Sequence, residues 1–463
     1  MKIYNTMTRQ KEELKPITDG IVKIYCCGPT VYNLIHIGNA RALCVFDTLR
    51  RYLEFRGYKV LYVQNFTDVD DKIIKKANEL GKTASEVSEN AIKEYFVDAQ
   101  GLNVRKADIH PKVTENMGII IDIVKTLIDK GYAYEADGDV YFETKKFPEY
   151  GKLSHMPLED LQAGARIEVG EKKRDPMDFA VWKAAKPGEP YWDSPFGKGR
   201  PGWHIECSAM SRHYIGDTID IHGGGSDLIF PHHENEIAQS ECATGSPLAN
   251  IWMHNGMLNV DNKKMSKSAG NFFMVRDLSD KYGYEPIRFM LLSVHYRSQL
   301  NYTIEVIESC KAALQRLYTC RDAMERVKSA AKDGEAGVQT LEAVKTARAD
   351  FITAMDDDFN TADGISVLFE LVRKINSALA SPDVTKGDVA AYYDEFTALT
   401  NVLGLLYNKE NDDIPAEVTD LVEQRRAARK AKDFALADAL RDKITALGYT
   451  VEETRQGTIV KKA

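Results

Sequence analysis

Nowhere does the chain carry an apolar run near the roughly 18 residues that a bilayer span needs. Its opening, Met1-Lys2-Ile3-Tyr4-Asn5-Thr6, turns polar at once and lacks the apolar core of a signal peptide. Both absences predict a cytoplasmic protein with no membrane association. Cysteine is sparse: seven residues, odd in number and widely spaced, with no Cys-x-x-Cys pair. That excludes a disulfide framework and predicts free or metal-bound thiols in a reducing compartment. Internal repeats and low-complexity tracts are missing, which excludes a solenoid. Positive charge is short as well, with a net charge of −8. Uniform coating by nucleic acid is therefore excluded, though a local basic surface is not. The stretch 414–463 has ten Lys or Arg against eight Asp or Glu, a charge of +2 that leaves −10 for the rest.

What is present is an ordinary globular composition, 44% hydrophobic and 28% charged over 463 residues, enough for two to four domains. Ile21 to Cys27 reads as a buried strand stopped by Gly28-Pro29. A helix is predicted from about Ala40 to Phe55, with Arg56-Gly57 as its stop. Lys59 to Asn65 reads as a second strand, and Asp68 to Asp71 opens another helix. Strand, helix, strand, helix predicts a parallel sheet with its ligand site beyond the carboxyl ends of the strands. Asp137-Gly138-Asp139 before Val140-Tyr141-Phe142-Glu143-Thr144 predicts a hairpin within an insertion. The sheet is expected to resume after Trp203. Past Tyr302 the pattern turns helical, with Val306, Cys310, Leu314 and Leu317 on one face. The fold class expected is thus α/β: a Rossmann-type parallel sheet split by an insertion, then a helical bundle and a small C-terminal α+β module. The boundaries expected are 1–110 and 201–300 for the two halves of the catalytic domain, 111–200 for the insertion, 301–410 for the bundle and 414–463 for the module. Asn408 to Pro415 reads as a linker.

Two segments suit phosphate chemistry. His36-Ile37-Gly38-Asn39 joins a strand end to a helix start, whose N–H groups and dipole favour an anion. Gly38 lets the backbone come close, and His36 and Asn39 can donate hydrogen bonds. In the second half of the chain, Lys264-Met265-Ser266-Lys267-Ser268 puts two cations on a loop, and Asn259 to Asn262 supply turn residues for it. Cations placed in advance stabilise the charge that develops as pyrophosphate leaves. A third constellation suits a metal. His232 and Glu236 sit four apart after Pro231, a proline placed to open a helix, and so share one helical face. With Cys207 and Cys27 they make a coherent zinc set of two thiolates, an imidazole and a carboxylate. On spacing alone His233, Glu234 and Cys242 are rivals, and strand alternation lets only one of Cys26 and Cys27 face such a site. The run His-His-Glu-Asn-Glu is not the His-Glu-x-x-His of zinc proteases.

The His-Ile-Gly turn and the Lys-Met-Ser-Lys-Ser loop together resemble the two ATP-binding motifs of class I aminoacyl-tRNA synthetases. Longer blocks resemble the cysteinyl-tRNA synthetase family: Tyr25 to Tyr32, Gly202 to Met210, Asp220 to Asp227 and Phe230 to Ser240. The likeness runs from about residue 15 to 310, then thins to Met355 to Ala362 and the last 50 residues. It implies one zinc ion per chain on Cys27, Cys207, His232 and Glu236. It implies that His36, Lys264 and Lys267 are catalytic, and that Gly38, Asn39, Ser266 and Lys267 bind ATP, which enters with Mg2+. Thr30, Trp203 and His222 are implied to shape the substrate pocket. The partners implied are L-cysteine, ATP and tRNA(Cys), the last read by a module carrying Arg425, Arg426, Arg429, Lys430 and Lys432; a monomer is expected. The chain departs from the family's common pattern at Asn39 (often histidine), at Cys26 (more often aliphatic), and at its end, where Gly457 to Lys461 lacks a frequent tryptophan.

Zinc makes chemical sense for such an enzyme. An apolar pocket separates near-isosteres such as cysteine and serine by only about 10²-fold, whereas a thiol with a pKa of about 8.5 yields its proton to a metal. An editing domain is then unnecessary. Two rivals stand beside this reading. Enzymes that join cysteine to an amino sugar share the core motifs but lack the anticodon module. A non-catalytic descendant should have lost the lysines that this chain keeps.

Overall fold

The computed structural model describes residues 1–156, 172–265, 271–407, 416–431, 433–454 and 457–462. Ser266, Lys267 and Ser268, the expected linker 408–415 and Lys432 lie outside the described residues.

The β-branched and aromatic run Ile21–Cys26 forms a central strand, parallel to Lys59–Gln64 on one side and Ile219–Gly225 on the other. Ala249–Asn255 pairs in parallel with Ile219–Gly225 and completes a four-stranded sheet. From the two middle strands the chain crosses over in opposite directions. The helix Ile37–Phe55 leads outward to Lys59–Gln64, and the helix Glu234–Thr244 leads outward to Ala249–Asn255. A sheet wound this way opens a crevice where the two middle strands end. Cys27 and Gly223 to Gly225 stand there. No helix among the described residues is long and apolar enough to cross a membrane.

Local chemistry explains two departures from the sequence reading and one agreement. The first helix begins at Ile37, earlier than Ala40, because His36 caps it. The sheet resumes at Ile219; the block after Trp203 is instead a helix, Ile205–Tyr214, with its first seven residues buried. Pro231 opens a helix as predicted: Phe230 before it is extended, and the helical backbone that starts at Pro231 runs through one wide turn into Glu234–Thr244.

The hairpin at 137–138 forms, with Asp137 and Gly138 both at positive φ (51° and 83°), the backbone that a tight two-residue hairpin turn demands. It belongs to a four-stranded antiparallel sheet of Ala133–Ala136, Asp139–Phe142, Phe179–Ala184 and Gly199–Pro201. A helix Ile304–Ala330 buries Ile307, Cys310, Leu314 and Leu317 and packs with Thr361–Leu379 and Lys386–Leu403, on which Val338–Asp356 also packs. Val306 lies only partly buried beside this stripe. Beyond it, helices Ala416–Lys430 and Phe434–Ala446 and a hairpin Tyr449–Thr454/Gly457–Lys462 share a small core around Val418, Val422 and Ile444.

Candidate active site

Cys27 follows the central strand, Cys207 lies in the first turn of Ile205–Tyr214, His232 in the wide turn and Glu236 in the helix after it. One ligand atom from each lies within 4.8 Å of all the others. Cys27 Sγ is 3.6 Å from Cys207 Sγ and 3.2 Å from Glu236 Oε1, and His232 Nε2 is 3.0 Å from the same oxygen. Cys26 points to the opposite side of the sheet, where burial pushes its thiol up to about 12. Strand alternation thus selects Cys27.

Burial and neighbouring charge set the electrostatics of the cluster. Burial, then Cys207 and Glu236, push the Cys27 thiol well up. Cys207 suffers the same burial, but hydrogen bonds from Cys27 and His232 bring it down to about 6. Burial opposes charge on Glu236 as well, yet His222 and His232 hold it well below the usual carboxylate range. His232, despite burial, is raised to about 10 by Glu236 and Cys207. Sulfur, nitrogen and oxygen donors thus converge on one buried point, and this donor set suits zinc.

Neighbours fix the donors. His204 Nδ1 lies 3.0 Å from His232 Nδ1, and burial and His232 keep His204 neutral, so it accepts. His222 Nε2 meets Glu236 Oε2 at 2.8 Å. Asn65 Oδ1 accepts the Gly28 N–H at 2.9 Å and stands 3.8 Å from Cys207 Sγ. A Cβ on Gly28 would fall 1.6 Å from the Asn65 carbonyl oxygen, so the approach requires glycine. Of the sequence rivals, Glu234 accepts backbone N–H groups of Gly151 and Ser154, and Cys242 belongs to the apolar core. His233 joins a second possible grouping with Cys27, His222 and Glu236. That grouping shares two donors with the first, so only one can be filled. Trp203 lines the cavity and packs on His232 at 4.4 Å, whereas behind it His222 stacks on Trp252 and His233 tilts against the same indole. The grouping with Cys207 is the one beside the cavity.

That cavity, about 380 Å³, is lined by Cys27, Thr30, Trp203, His36, Gly38, Asn39 and Lys264 among others. His36 and Asn39 form a reciprocal cap. His36 Nδ1 accepts the Asn39 N–H, and Asn39 Oδ1 accepts the His36 N–H, both at 3.2 Å. Because Nδ1 accepts, the ring proton is on Nε2. A Cβ on Gly38 would lie 2.9 Å from the His36 ring, so a side chain there would displace the imidazole. Lys264 ends the short strand Lys263–Lys264 and is exposed. Of the predicted site residues, Cys27, Thr30, His36, Gly38, Asn39, Trp203 and Lys264 line the cavity; Cys207, His232 and Glu236 cluster on Cys27 at its wall, His222 stands behind Glu236, and Ser266 and Lys267 are outside the described residues. Sequence reasoning missed Asn65, His204 and Arg41. Asn65 was detectable as the residue ending the strand beside Cys27, and His204 as the polar neighbour of Trp203.

A parallel sheet whose switch point joins a capped helix start to a lysine-bearing hairpin is the fold of a class I aminoacyl-tRNA synthetase. Solved structures agree on this fold. Methionyl-tRNA synthetase of Mycobacterium tuberculosis in complex with methionyl-adenylate superposes with a TM-score of 0.59 at 14% identity, covering 83% of this chain and 89% of that one. A putative arginyl-tRNA synthetase of Campylobacter jejuni gives 0.57 at 13%, covering 83% and 93%. The family of class I (C) tRNA synthetase catalytic domains matches residues 13–312, the DALR domain 350–407 and the cysteinyl-tRNA ligase anticodon binding domain 411–459. Cysteine–tRNA ligases of Geobacillus thermodenitrificans and Caldicellulosiruptor saccharolyticus are 56% and 54% identical, each over 100% of this chain and 99% and 100% of their own. The chain belongs to the cysteine–tRNA ligase family.

Proposed function

We propose that this protein activates L-cysteine with ATP and transfers it to the 3′ end of tRNA(Cys), as a cytoplasmic monomer. The observation that carries the reading is the convergence of Cys27, Cys207, His232 and Glu236 beside the cavity that also holds His36, Gly38 and Lys264. Those four residues would hold a zinc ion, whose Lewis acidity would favour a substrate thiol over serine's hydroxyl. Trp203, against His232, closes the wall beside the substrate side chain.

ATP enters with Mg2+, its α-phosphate toward the start of the helix Ile37–Phe55. Cysteine's carboxylate oxygen attacks the α-phosphorus, and the bond to the bridging oxygen of the β-phosphate breaks, releasing pyrophosphate. His36 Nε2–H donates to the α-phosphate, with Gly38 and Asn39 shaping the approach. Lys264, with Ser266 and Lys267 close after it in sequence, meets the departing phosphates. A terminal ribose hydroxyl of the tRNA then attacks the carbonyl carbon, and AMP leaves. In this reading 1–110 and 201–300 carry the chemistry, 111–200 faces the acceptor end, 301–410 contacts the stem and 414–463 reads the anticodon.

The test is transfer of labelled cysteine to tRNA bearing the cysteine anticodon. Charging with cysteine and none with serine is expected. Cysteine-dependent pyrophosphate exchange without charging would replace tRNA by a small amine acceptor.

A further inference from the structure

A second cavity of about 450 Å³ adjoins the first, within the roughly 300–1,000 Å³ of small-ligand sites. Both are lined by Gly256 and Met257, and along 225–229 Asp227 lines the first while Ser226 lines the second. The partition is one backbone thick. A Cβ on Gly256 would lie 2.5 Å from the Arg297 and Ser298 carbonyl oxygens, so no side chain can thicken it there. Buried Arg41, on the helix that His36 caps, fixes the partition by donating to the carbonyls of Gly256 (2.8 Å), Met257 (2.9 Å) and Ser298 (2.6 Å).

The rim is unusual. Arg9 and His155 both lie at positive φ, 58° and 55°, where glycine or asparagine would cost less. A long side chain kept at such a position points to a use for it. Arg9 closes the N-terminal hairpin, its N–H donating to the Asn5 carbonyl at 2.8 Å. Its exposed guanidinium has no partner among the described residues. His155 Nε2–H donates to the Thr6 carbonyl at 3.2 Å and ties the insertion to the same turn. On the far wall the Arg297 guanidinium lies 4.3 Å from the centre of the Tyr4 ring. The buried Asp358 carboxylate accepts Arg297 Nε–H at 2.7 Å and neutralises that charge. Arg297 is thereby a flat stacking surface, and Arg9 an unneutralised cation.

One anchor for a phosphate beside one plane for a base is what a single-stranded nucleic acid requires. Resting on the reading that the acceptor is an RNA, we propose that this cavity seats a nucleotide of the tRNA's single-stranded 3′ end. The base lies against the Arg297–Tyr4 stack and the phosphate meets Arg9, one backbone away from the cavity where the carboxyl is activated.

Arg9→Gly tests this, because glycine suits the backbone at φ 58° and folding is spared. Full-length tRNA and tRNA lacking its terminal nucleotide are compared with wild-type and variant protein. Cysteine-dependent pyrophosphate exchange is expected to stay within about twofold, while the KM for tRNA rises about tenfold. The slope of log affinity against log salt should fall by about 0.7, the loss of one single-strand phosphate contact. The variant should also lose much of the preference for full-length over shortened tRNA, and Arg9→Lys should restore most of the affinity. Unchanged charging by Arg9→Gly, or exchange falling as far as charging, overturns the assignment alone. A wild-type protein that exchanges pyrophosphate but charges no tRNA overturns the acceptor reading, and this one with it.

Discussion

Cys27, Cys207, His232 and Glu236 are packed among buried neighbours, and two of them are braced by second histidines. His36 and Lys264, across the same crevice, sit at the margins of their elements: one caps a helix, the other ends a two-residue strand on the exposed side. In the proposed reading the two sides do different work. Telling a thiol from a hydroxyl depends on donor positions fixed to a fraction of an ångström, which buried hydrogen-bonded groups provide. Stabilising a departing pyrophosphate needs cations that arrive with the substrate and leave with the product, which a loop provides.

If that division holds, the two sides fail separately. The largest effect is expected from Cys207→Ala: elemental analysis should find no retained zinc, and cysteine-dependent pyrophosphate exchange should drop below detection. Lys267→Ala should lower exchange by about 10²–10³-fold and leave zinc at one per chain; loss of zinc as well would join what the comparison separates. His204→Ala removes the acceptor behind His232 and should weaken zinc binding by about 10–100-fold, with the KM for ATP unmoved.

A fourth test concerns the framework beneath both sides. His110 donates from Nδ1 to the Gln64 carbonyl (2.9 Å) and accepts the Ala107 N–H at Nε2 (3.0 Å), which locks a neutral ring. Burial lowers its pKa from 6.5 to about 4. The unfolded imidazole takes up its proton near pH 6.5, and the folded one only near pH 4. Stability from this group is therefore full above pH 6.5, falls as pH drops toward 4 and is flat below. Urea unfolding of wild type against His110→Gln should show a differential loss on the order of 2–3 kcal/mol between pH 7 and pH 4. An equal acid response in both proteins would sink the idea. The smallest effect is expected from Asn39→Ala, which removes half of the reciprocal cap. It should cost about 1 kcal/mol in unfolding free energy and spare zinc content.

The sequence carried the strands Ile21–Cys26 and Lys59–Gln64, the parallel sheet and the hairpin at Asp137-Gly138, because alternation, β-branching and turn residues act locally. Spacing could not choose among His232, His233, Glu234 and Cys242. All four lie in one short segment, and what separates them is the company each meets: a second thiol, His254, the backbone of Gly151 and Ser154, or the apolar core. Pro231 was legible because its preference is local: a fixed φ and a missing N–H suit the first position of a helix, and His232 and Glu236 then share a face. The resemblance supplied the ligand set that spacing left open. Neither route disclosed Arg41, whose partners lie more than two hundred residues away.

The pairing of Cys27 with Cys207 also sets an order of events. The two thiols are 180 residues apart in sequence, so at about 5–20 residues per second roughly 10–40 s pass between their syntheses. Until Ile219–Gly225 docks beside Ile21–Cys26, the growing chain holds only half of its sulfur ligands. A metal captured by Cys26 and Cys27 alone would have no imidazole or carboxylate from the second half to complete its shell. On the proposed zinc reading, loading waits until the central sheet has closed, and a bound ion would report that assembly is complete.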